Sequence, residues 1–418
     1  MKKQIVTLVV VVAVSGAGLT AAATEARAAN RQLENLTLDQ ALDMAESLHP
    51  QLAEARAMIE AAEWRAKQAG TFPNPEAIVG AQQIPFSGSA PSEKEYVAGV
   101  GQTIPLSRRL SKARQAELLD REVRARGLEV KHRDIHRRVH SAFATALYQE
   151  QAYQAQTEIQ RNAEKTVATT QARVEAGDAL REDLARVEME LARAKVESQR
   201  AEALREQALI TLASAIGDAT LAIKSLSGTL EATFEIPTLE ALAANLAAQP
   251  ESELAEADLR ARAARVDLAK AERIPDVKVE VLYHRLESSQ QNTFDVGLSI
   301  PLPLFNRSQG KLREARAEVV AAEARSRTTQ NELTARLRES HLQLTTALAN
   351  SGTLKTEILS RAETVLKAAE ARYAAGDISL AEILPVRRDW AMVQLSYLES
   401  LREVMQAWAE VKAFTAKP

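Results

Sequence analysis

Val100-Gly101-Gln102-Thr103-Ile104-Pro105-Leu106 returns 196 positions later as Val296-Gly297-Leu298-Ser299-Ile300-Pro301-Leu302, and Ala172-Arg173-Val174-Glu175-Ala176-Gly177-Asp178 returns 199 positions later as Ala371-Arg372-Tyr373-Ala374-Ala375-Gly376-Asp377. Between the two motifs each copy carries a long, Ala-rich, charged stretch, free of proline beyond Pro105 in the first copy and beyond Pro303 in the second. Self-similarity at this scale fixes the architecture before any single residue is weighed. The chain is a tandem duplication of one unit, a strand followed by a long helix. Residues 29–217 form the first repeat and residues 218–418 the second.

Working outward, each copy opens with helices. Leu38 to Leu48 and Pro50 to Ala69 are predicted helical and broken at His49-Pro50; the second copy repeats this from Thr238 through Gln249-Pro250 to about Glu272. Pro73, Pro75 and Pro275 end these helices, and a strand pair follows in each copy. In the second, Val277, Val279, Val281 and Tyr283 point one way while Lys278, Glu280 and Leu282 point the other; Phe294, Val296, Leu298 and Ile300 alternate in the next strand. The first pair, Ala77 to Ile84 and Tyr96 to Ile104, alternates less cleanly across a longer Ser/Pro-rich connection. Strands of about nine residues, apolar on one face, match transmembrane β-strands in length and pattern. A soluble pair of hairpins packed on helices fits the alternation as well.

Four strands cannot close a barrel, and open edges in lipid leave backbone groups unpaired. Strands that span a membrane therefore require oligomerisation, and three copies of four strands make a 12-stranded barrel.

Beyond Pro105 and Pro303 the chain reads as helix for roughly 70 residues, Leu106 to Ala176 and Leu304 to Ala375, each about 105 Å long. Gly177-Asp178 and Gly376-Asp377 turn these helices back. Return helices, about Ala179 to Ser214 and Ile378 to Ala413, are too short to line the whole outgoing helix. The helix from Pro50 to Ala69, stacked end to end on the first of them, makes up the difference. The fold class is thus mainly α with a small β part.

Composition agrees and excludes alternatives. Ala, Glu, Arg and Leu dominate, aromatics are 4% and glycines number 15, the profile of long helices. Lys2 and Lys3 precede an apolar run from Ile5 to Val14, then Ala21-Ala22-Ala23 and Ala26-Arg27-Ala28, so residues 1–28 read as a secretory signal peptide cleaved after Ala23 or Ala28. The absence of cysteine excludes disulfides and a lipoprotein anchor. A formal charge of −3 gives no electrostatic reason to bind nucleic acid. No phosphate loop and no Ser/His/Asp setting is recognisable, so no enzyme and no cofactor is expected.

The tandem plan, the Ile-Pro-Leu breaks and the Ala-Arg-x-x-Ala-Gly-Asp turns resemble the outer membrane factor (TolC-like) family over essentially the whole mature chain. Ile300-Pro301-Leu302-Pro303-Leu304-Phe305-Asn306-Arg307-Ser308-Gln309-Gly310 is similar to the corresponding stretch of its heavy-metal (CzcC-like) branch. The resemblance implies a homotrimer whose strands form an outer membrane β-barrel in contact with lipid and whose hairpins form a periplasmic α-barrel. It implies a passive duct for cobalt, zinc or cadmium export, docked by its tips at Gly177, Asp178, Gly376 and Asp377 to a periplasmic adaptor (membrane fusion protein) serving an inner membrane RND-type pump. The periplasmic gate falls on Asp183 and Glu382, six residues past each turn glycine, and on Tyr373, three before the second. The gate arginine of the family is Ile378 here and its second acidic ring position is Pro385, which leaves Arg181, Arg186, Arg387 and Arg388 as candidate replacements. As acids in a helix's first turns, Asp183 and Glu382 also suit the macrodipole alone. Drug efflux or type I protein secretion through the same kind of duct is the alternative within the class, and a periplasmic adaptor or structural coiled-coil protein the alternative outside it.

His132, His136 and His140 recur at i, i+4 and i+8, the spacing at which neighbouring pairs share a metal on one helical face. Lys131, Arg133, Arg137 and Arg138 surround them and oppose a cation, while Ile135, Val139 and Phe143 supply the adjacent core stripe. On the sequence these histidines read better as packing or solvated groups than as ligands.

Overall fold

The computed structural model describes residues 32–84, 94–231, 235–287 and 289–415; the signal-peptide reading of residues 1–28 and the Ser/Pro-rich connection at 85–93 lie outside the described residues. A short strand β1 (Gln32–Leu33) leads to α1 (Leu38–Leu48), whose start is set by a capping box between Thr37 and Gln40. His49 closes α1 and opens α2 (Pro50–Ala69): its Nδ1 accepts from the Gln51 N–H, and Pro50 in the first turn stops α1 from running on. After the hairpin of β2 (Glu76–Gln82) and β3 (Glu95–Ile104), α3 (Arg109–Ala176) runs 68 residues without a break. It begins three residues later than the predicted Leu106, since the Ser107 hydroxyl accepts the Arg109 N–H and holds the entry turn. Helix α4 (Arg181–Ile216) returns beside it.

The second repeat follows the same path. It comprises α5 (Leu239–Ala244), a single 3₁₀ turn at Leu246–Ala248, α6 (Pro250–Ala271), strands β5 (Val277–Leu286) and β6 (Asn292–Ser299), then α7 (Gln309–Thr353), a π-helical turn at Leu354–Leu359, α8 (Ser360–Ala375) and α9 (Leu380–Thr415). The π turn departs from the unbroken helix expected there. Between the repeats the chain folds back on the first: β4 (Ala222–Ile223) pairs in parallel with β1, and Leu36 bridges to Leu226. These two-residue strands carry no alternation that a sequence reading detects.

Helix α3 is the spine. Its first part packs on α2, joined by Arg65–Glu117 and Arg121–Glu63, and its last part on α4, joined by Arg205–Glu150. The end-to-end stack expected from the lengths is present. A Cβ built on Gly217, the C-cap of α4, would lie 2.7 Å from the His49 Cα at the start of α2. In the second repeat the Gln249 amide, at the start of α6, donates to the Phe414 carbonyl near the end of α9 at 3.1 Å. The largest apolar cluster lies at the level of the first junction. Ile135, Val139, Phe143 and Leu147 of α3, at four-residue spacing, meet Leu209, Leu212 and Ile216 of α4, Ala41 and Ala45 of α1, and Tyr397 and Leu401 of α9. Each fully buried Leu, Ile or Phe contributes about 1.5–3 kcal/mol, so the molecule is held chiefly at its waist.

Candidate functional site

The four main strands join into one antiparallel sheet in the order β2-β3-β5-β6, so the two repeats share a sheet through β3 and β5. One face carries Val79, Val100, Val281, Phe294, Val296 and Leu298, all exposed, with Val79 at 86%, Val296 at 76% and Phe294 at 74%. The other face carries Lys278, held by Glu76 at 2.8 Å and Glu280 at 2.9 Å, and His284, held by Glu95 at 2.6 Å and Asp295 at 3.3 Å. Sequence reasoning missed the His284 cluster because its three members lie on three different strands. An apolar face left bare, an ionic face opposite and two edges, β2 and β6, that are unpaired among the described residues describe a segment of a larger barrel wall. Among the described residues no helix is long and apolar enough to cross a membrane.

At the other end of the molecule are the two hairpin turns. Gly177 and Gly376 share one conformation, φ 84° and ψ near zero, and close the same Schellman motif. Asp178 N–H donates to the Arg173 carbonyl at 2.7 Å, and Asp377 N–H to the Arg372 carbonyl at 2.9 Å. Both glycines and both aspartates are exposed. Just inside the tips the hairpins pack on each other. Val187, Leu380 and Ile383 are buried, with Val167, Leu184, Tyr373, Ile378 and Leu384 around them. Ile378, which stands where the resemblance expects an arginine, thus belongs to an apolar plug.

Charges cross between the hairpins above that plug. Arg388 of α9 reaches Glu190 of α4 at 3.1 Å, and Arg387 donates to the Thr166 hydroxyl of α3 at 3.1 Å while lying 3.5 Å from Glu370. Glu190 and Thr166 were not singled out in the sequence, where nothing distinguishes them from many similar helix residues. Pro385 sits within α9.

The two acids of the predicted gate have different surroundings. Glu382 is exposed, and its carboxylate accepts from both the backbone N–H and the hydroxyl of Ser379 at 2.8 Å, half of a capping box. These hydrogen bonds, with the Arg372 charge, hold its carboxyl below the usual glutamate value. Asp183 occupies the equivalent turn of α4, where the cap position is Leu180, a residue without a side-chain acceptor and 67% exposed. Tyr373 lies in the apolar plug.

The three histidines of α3 separate. His132 Nδ1 and His136 Nε2 both face one carboxylate oxygen of Glu46 on α1, at 3.8 and 3.0 Å, with the two rings 5.8 Å apart. His140 is not part of this group. Burial first, then the Lys412 charge, pushes its pKa down to about 4 and keeps it neutral. Glu46 was not foreseen, since it lies 86 positions before His132 in the chain.

Compared with known proteins, the sequence matches the family described as outer membrane efflux protein twice, over residues 41–218 and 241–417, once in each half of the chain. It is 27% identical to the cobalt-zinc-cadmium resistance protein CzcC of Cupriavidus metallidurans over 372 residues, 89% of this chain and 88% of that one. Among solved structures, the outer membrane protein VceC of Vibrio cholerae superposes with a TM-score of 0.73 at 17% identity, covering 90% of this chain and 95% of the other. A membrane protein from Pseudomonas aeruginosa does so with a TM-score of 0.71 at 20% identity, covering 91% and 93%.

Proposed function

The chain belongs to the outer membrane efflux protein family, and from that premise we propose that it is the outer membrane duct of a tripartite heavy-metal exporter, acting as a homotrimer. The observation that carries the reading is the four-stranded sheet with one bare apolar face and two open edges. Three such sheets close a 12-stranded barrel whose ionic face, lined by Lys278, Glu280 and His284, looks inward and whose apolar face meets lipid. Below it, three pairs of hairpins continue the passage through the periplasm. Likeness to the cobalt-zinc-cadmium resistance protein supports heavy-metal cations as cargo. The chain contributes a passage and no chemistry, so energy comes from an RND-type pump in the inner membrane through a periplasmic adaptor. The adaptor docks at the exposed tips around Gly177-Asp178 and Gly376-Asp377, where Leu180 offers a bare apolar side chain.

In the gate, Arg388 and Arg387 do the work that the resemblance assigns to an arginine at position 378. They tie α9 to α4 and α3 across the plug, so the two hairpins part only when Arg388–Glu190 and Arg387–Thr166 are broken. Glu382 and Asp183, one turn from the tips, form the acidic constriction that favours cations.

Two measurements test this. In cells lacking their own metal-efflux duct, expression of the chain with its pump and adaptor should restore zinc, cobalt or cadmium tolerance; restored drug tolerance without metal tolerance replaces the cargo. In planar bilayers Arg388→Glu should raise conductance, and Glu190→Arg in the same chain should lower it again. An exposed pair is worth about 0.2–1 kcal/mol, so the open population should rise less than about tenfold per pair. Unchanged conductance in Arg388→Glu removes the pair from the gate.

A further inference from the structure

The sequence argued against a metal on α3 because basic residues flank the histidines. The structure answers that objection residue by residue. Lys131 is turned to Glu54 at 3.4 Å, Arg133 to Glu251 at 2.9 Å and Arg137 to Glu410 at 2.8 Å, while Arg138 is shared between Gln51 at 2.8 Å and Asp134 at 3.2 Å. Each of these four cations has an acceptor, on α2, α6, α9 or its own helix, with Asp134 shared by Arg137 and Arg138 and Glu410 shared by Arg137 and Arg336. His132 and His136 are left on one face of α3 with a single carboxylate between them.

We propose that Glu46, His132 and His136 form a binding site for one borderline divalent cation of the Zn²⁺ type, clipping α1 to α3. The three donor atoms lie within 4.8 Å of one another, and donors of a tetrahedral zinc site stand about 3.4 Å apart, between the 3.0 and 3.8 Å that already separate Glu46 Oε1 from the two ring nitrogens. Histidines one helical turn apart present their rings side by side, a usual way for a helix to supply two ligands. Two imidazoles and one carboxylate select a borderline metal over Mg²⁺ or Ca²⁺, which take oxygen ligands. The third donor is held in place: Ala41 and Ala45 of α1 are fully buried against the waist cluster, the capping box fixes the start of α1, and Arg56 donates to the Glu46 carbonyl at 3.4 Å. All three residues are partly open to solvent, so water fills the remaining coordination positions.

The site lies about 60 Å along α3 from the Gly177 turn, remote from the gate acids. It rests on its own geometry and stands whichever cargo the duct carries. Because α1 is held by a short apolar face and the carboxylate belongs to α1, occupancy adds a second tether between α1 and the spine at the waist.

The test uses the full-length protein purified in detergent and stripped of metal. Equilibrium dialysis with Zn²⁺, and Co²⁺ followed by its visible absorption, should give one cation per chain that excess Mg²⁺ does not displace. Glu46→Gln, His132→Asn and His136→Asn should each weaken binding by at least about tenfold, since each removes one of three protein ligands. His341→Asn on α7 should bind as the wild type does. A second measurement reads position: Zn²⁺ should slow amide hydrogen exchange in Leu38–Leu48 of the wild type and leave it unchanged in His132→Asn. No stoichiometric Zn²⁺ in the wild type, affinity unchanged in all three ligand variants, or binding without protection of α1 each overturns the site and leaves a plain Glu46–His136 hydrogen bond.

Discussion

The two repeats trace one backbone path but secure it by different chemistry. Both turn at a glycine with φ 84° and the same pair of capping hydrogen bonds, and both stack a short helix on the end of the return helix. At the stack the first repeat relies on close approach, Gly217 against the backbone of His49, and the second on a side-chain hydrogen bond from Gln249 to Phe414. The outgoing helix α3 is unbroken, whereas its counterpart is interrupted by the π turn before α8. At the tip, the second repeat caps its return helix with Ser379 and Glu382, while the first places Leu180 there. Duplication preserved what the backbone needs, and divergence collected where each copy meets different neighbours.

The sharpest break in that comparison is Gly217→Val. A β-branched residue at φ 107° costs about 1–2 kcal/mol in the left-handed region, and the contact with His49 Cα, which is backbone and cannot give way, adds about 1–3 kcal/mol of overpacking. Gly177→Val and Gly376→Val meet nothing within 4 Å and carry only the conformational cost. The yield and heat resistance of the detergent-extracted protein should therefore fall most in Gly217→Val and equally little in the two tip variants. Equal losses in all three would show that the stack contributes nothing beyond a turn.

A smaller effect is expected at the π turn. Lys355 within it pairs with Glu231 of the inter-repeat segment at 2.9 Å, and Glu231 accepts from the buried Tyr397 hydroxyl of α9 at 2.7 Å. An extra residue in a helical turn costs hydrogen-bond geometry, and here it coincides with a three-group contact that α3 has no need to make. Tyr397→Phe should lower stability by about 1 kcal/mol, the worth of a partly solvated hydrogen bond to a charge, and should raise hydrogen exchange across Leu354–Leu359 before it does so in α3. Uniform exchange in both helices would detach the π turn from this contact.

How much of this was legible in the sequence follows from the range of the interactions. Turns, caps and alternation are local, so Gly177, Gly376, His49-Pro50 and the faces of β5 are readable directly, as is the length argument for stacking. The π turn is not, because Leu354–Leu359 is ordinary helical sequence and the Glu231 that Lys355 meets there lies more than a hundred positions away. The candidate site divides the same way. Its proposed acids and tips follow from the family resemblance, carried over by counting from the turn glycines. Arg388–Glu190 and the meeting of Glu46 with His132 and His136 depend on which of many similar helix faces become neighbours, and composition does not choose among them.

The finest contrast between the repeats is the capping around the two acids just past the tips. Glu382 accepts two hydrogen bonds from Ser379, and both favour its charged form, so its carboxyl is held below the ordinary glutamate value. The sign follows: a depressed carboxyl keeps its charge and its capping contribution above its unfolded pKa and loses both only as the pH falls through the lower folded value. In the proposed trimer, neighbouring carboxylates would raise one another, and the two hydrogen bonds from Ser379 oppose that rise. Cation selectivity in planar bilayers should therefore survive mild acid in the wild type. In Ser379→Ala, which removes the hydroxyl donor and leaves the backbone one, selectivity should be lost at a higher pH than in the wild type, and Leu180→Ala in the first repeat should leave the midpoint where it was. A midpoint unmoved by Ser379→Ala but shifted by Asp183→Asn would transfer the constriction to the first hairpin and make Glu382 a cap alone.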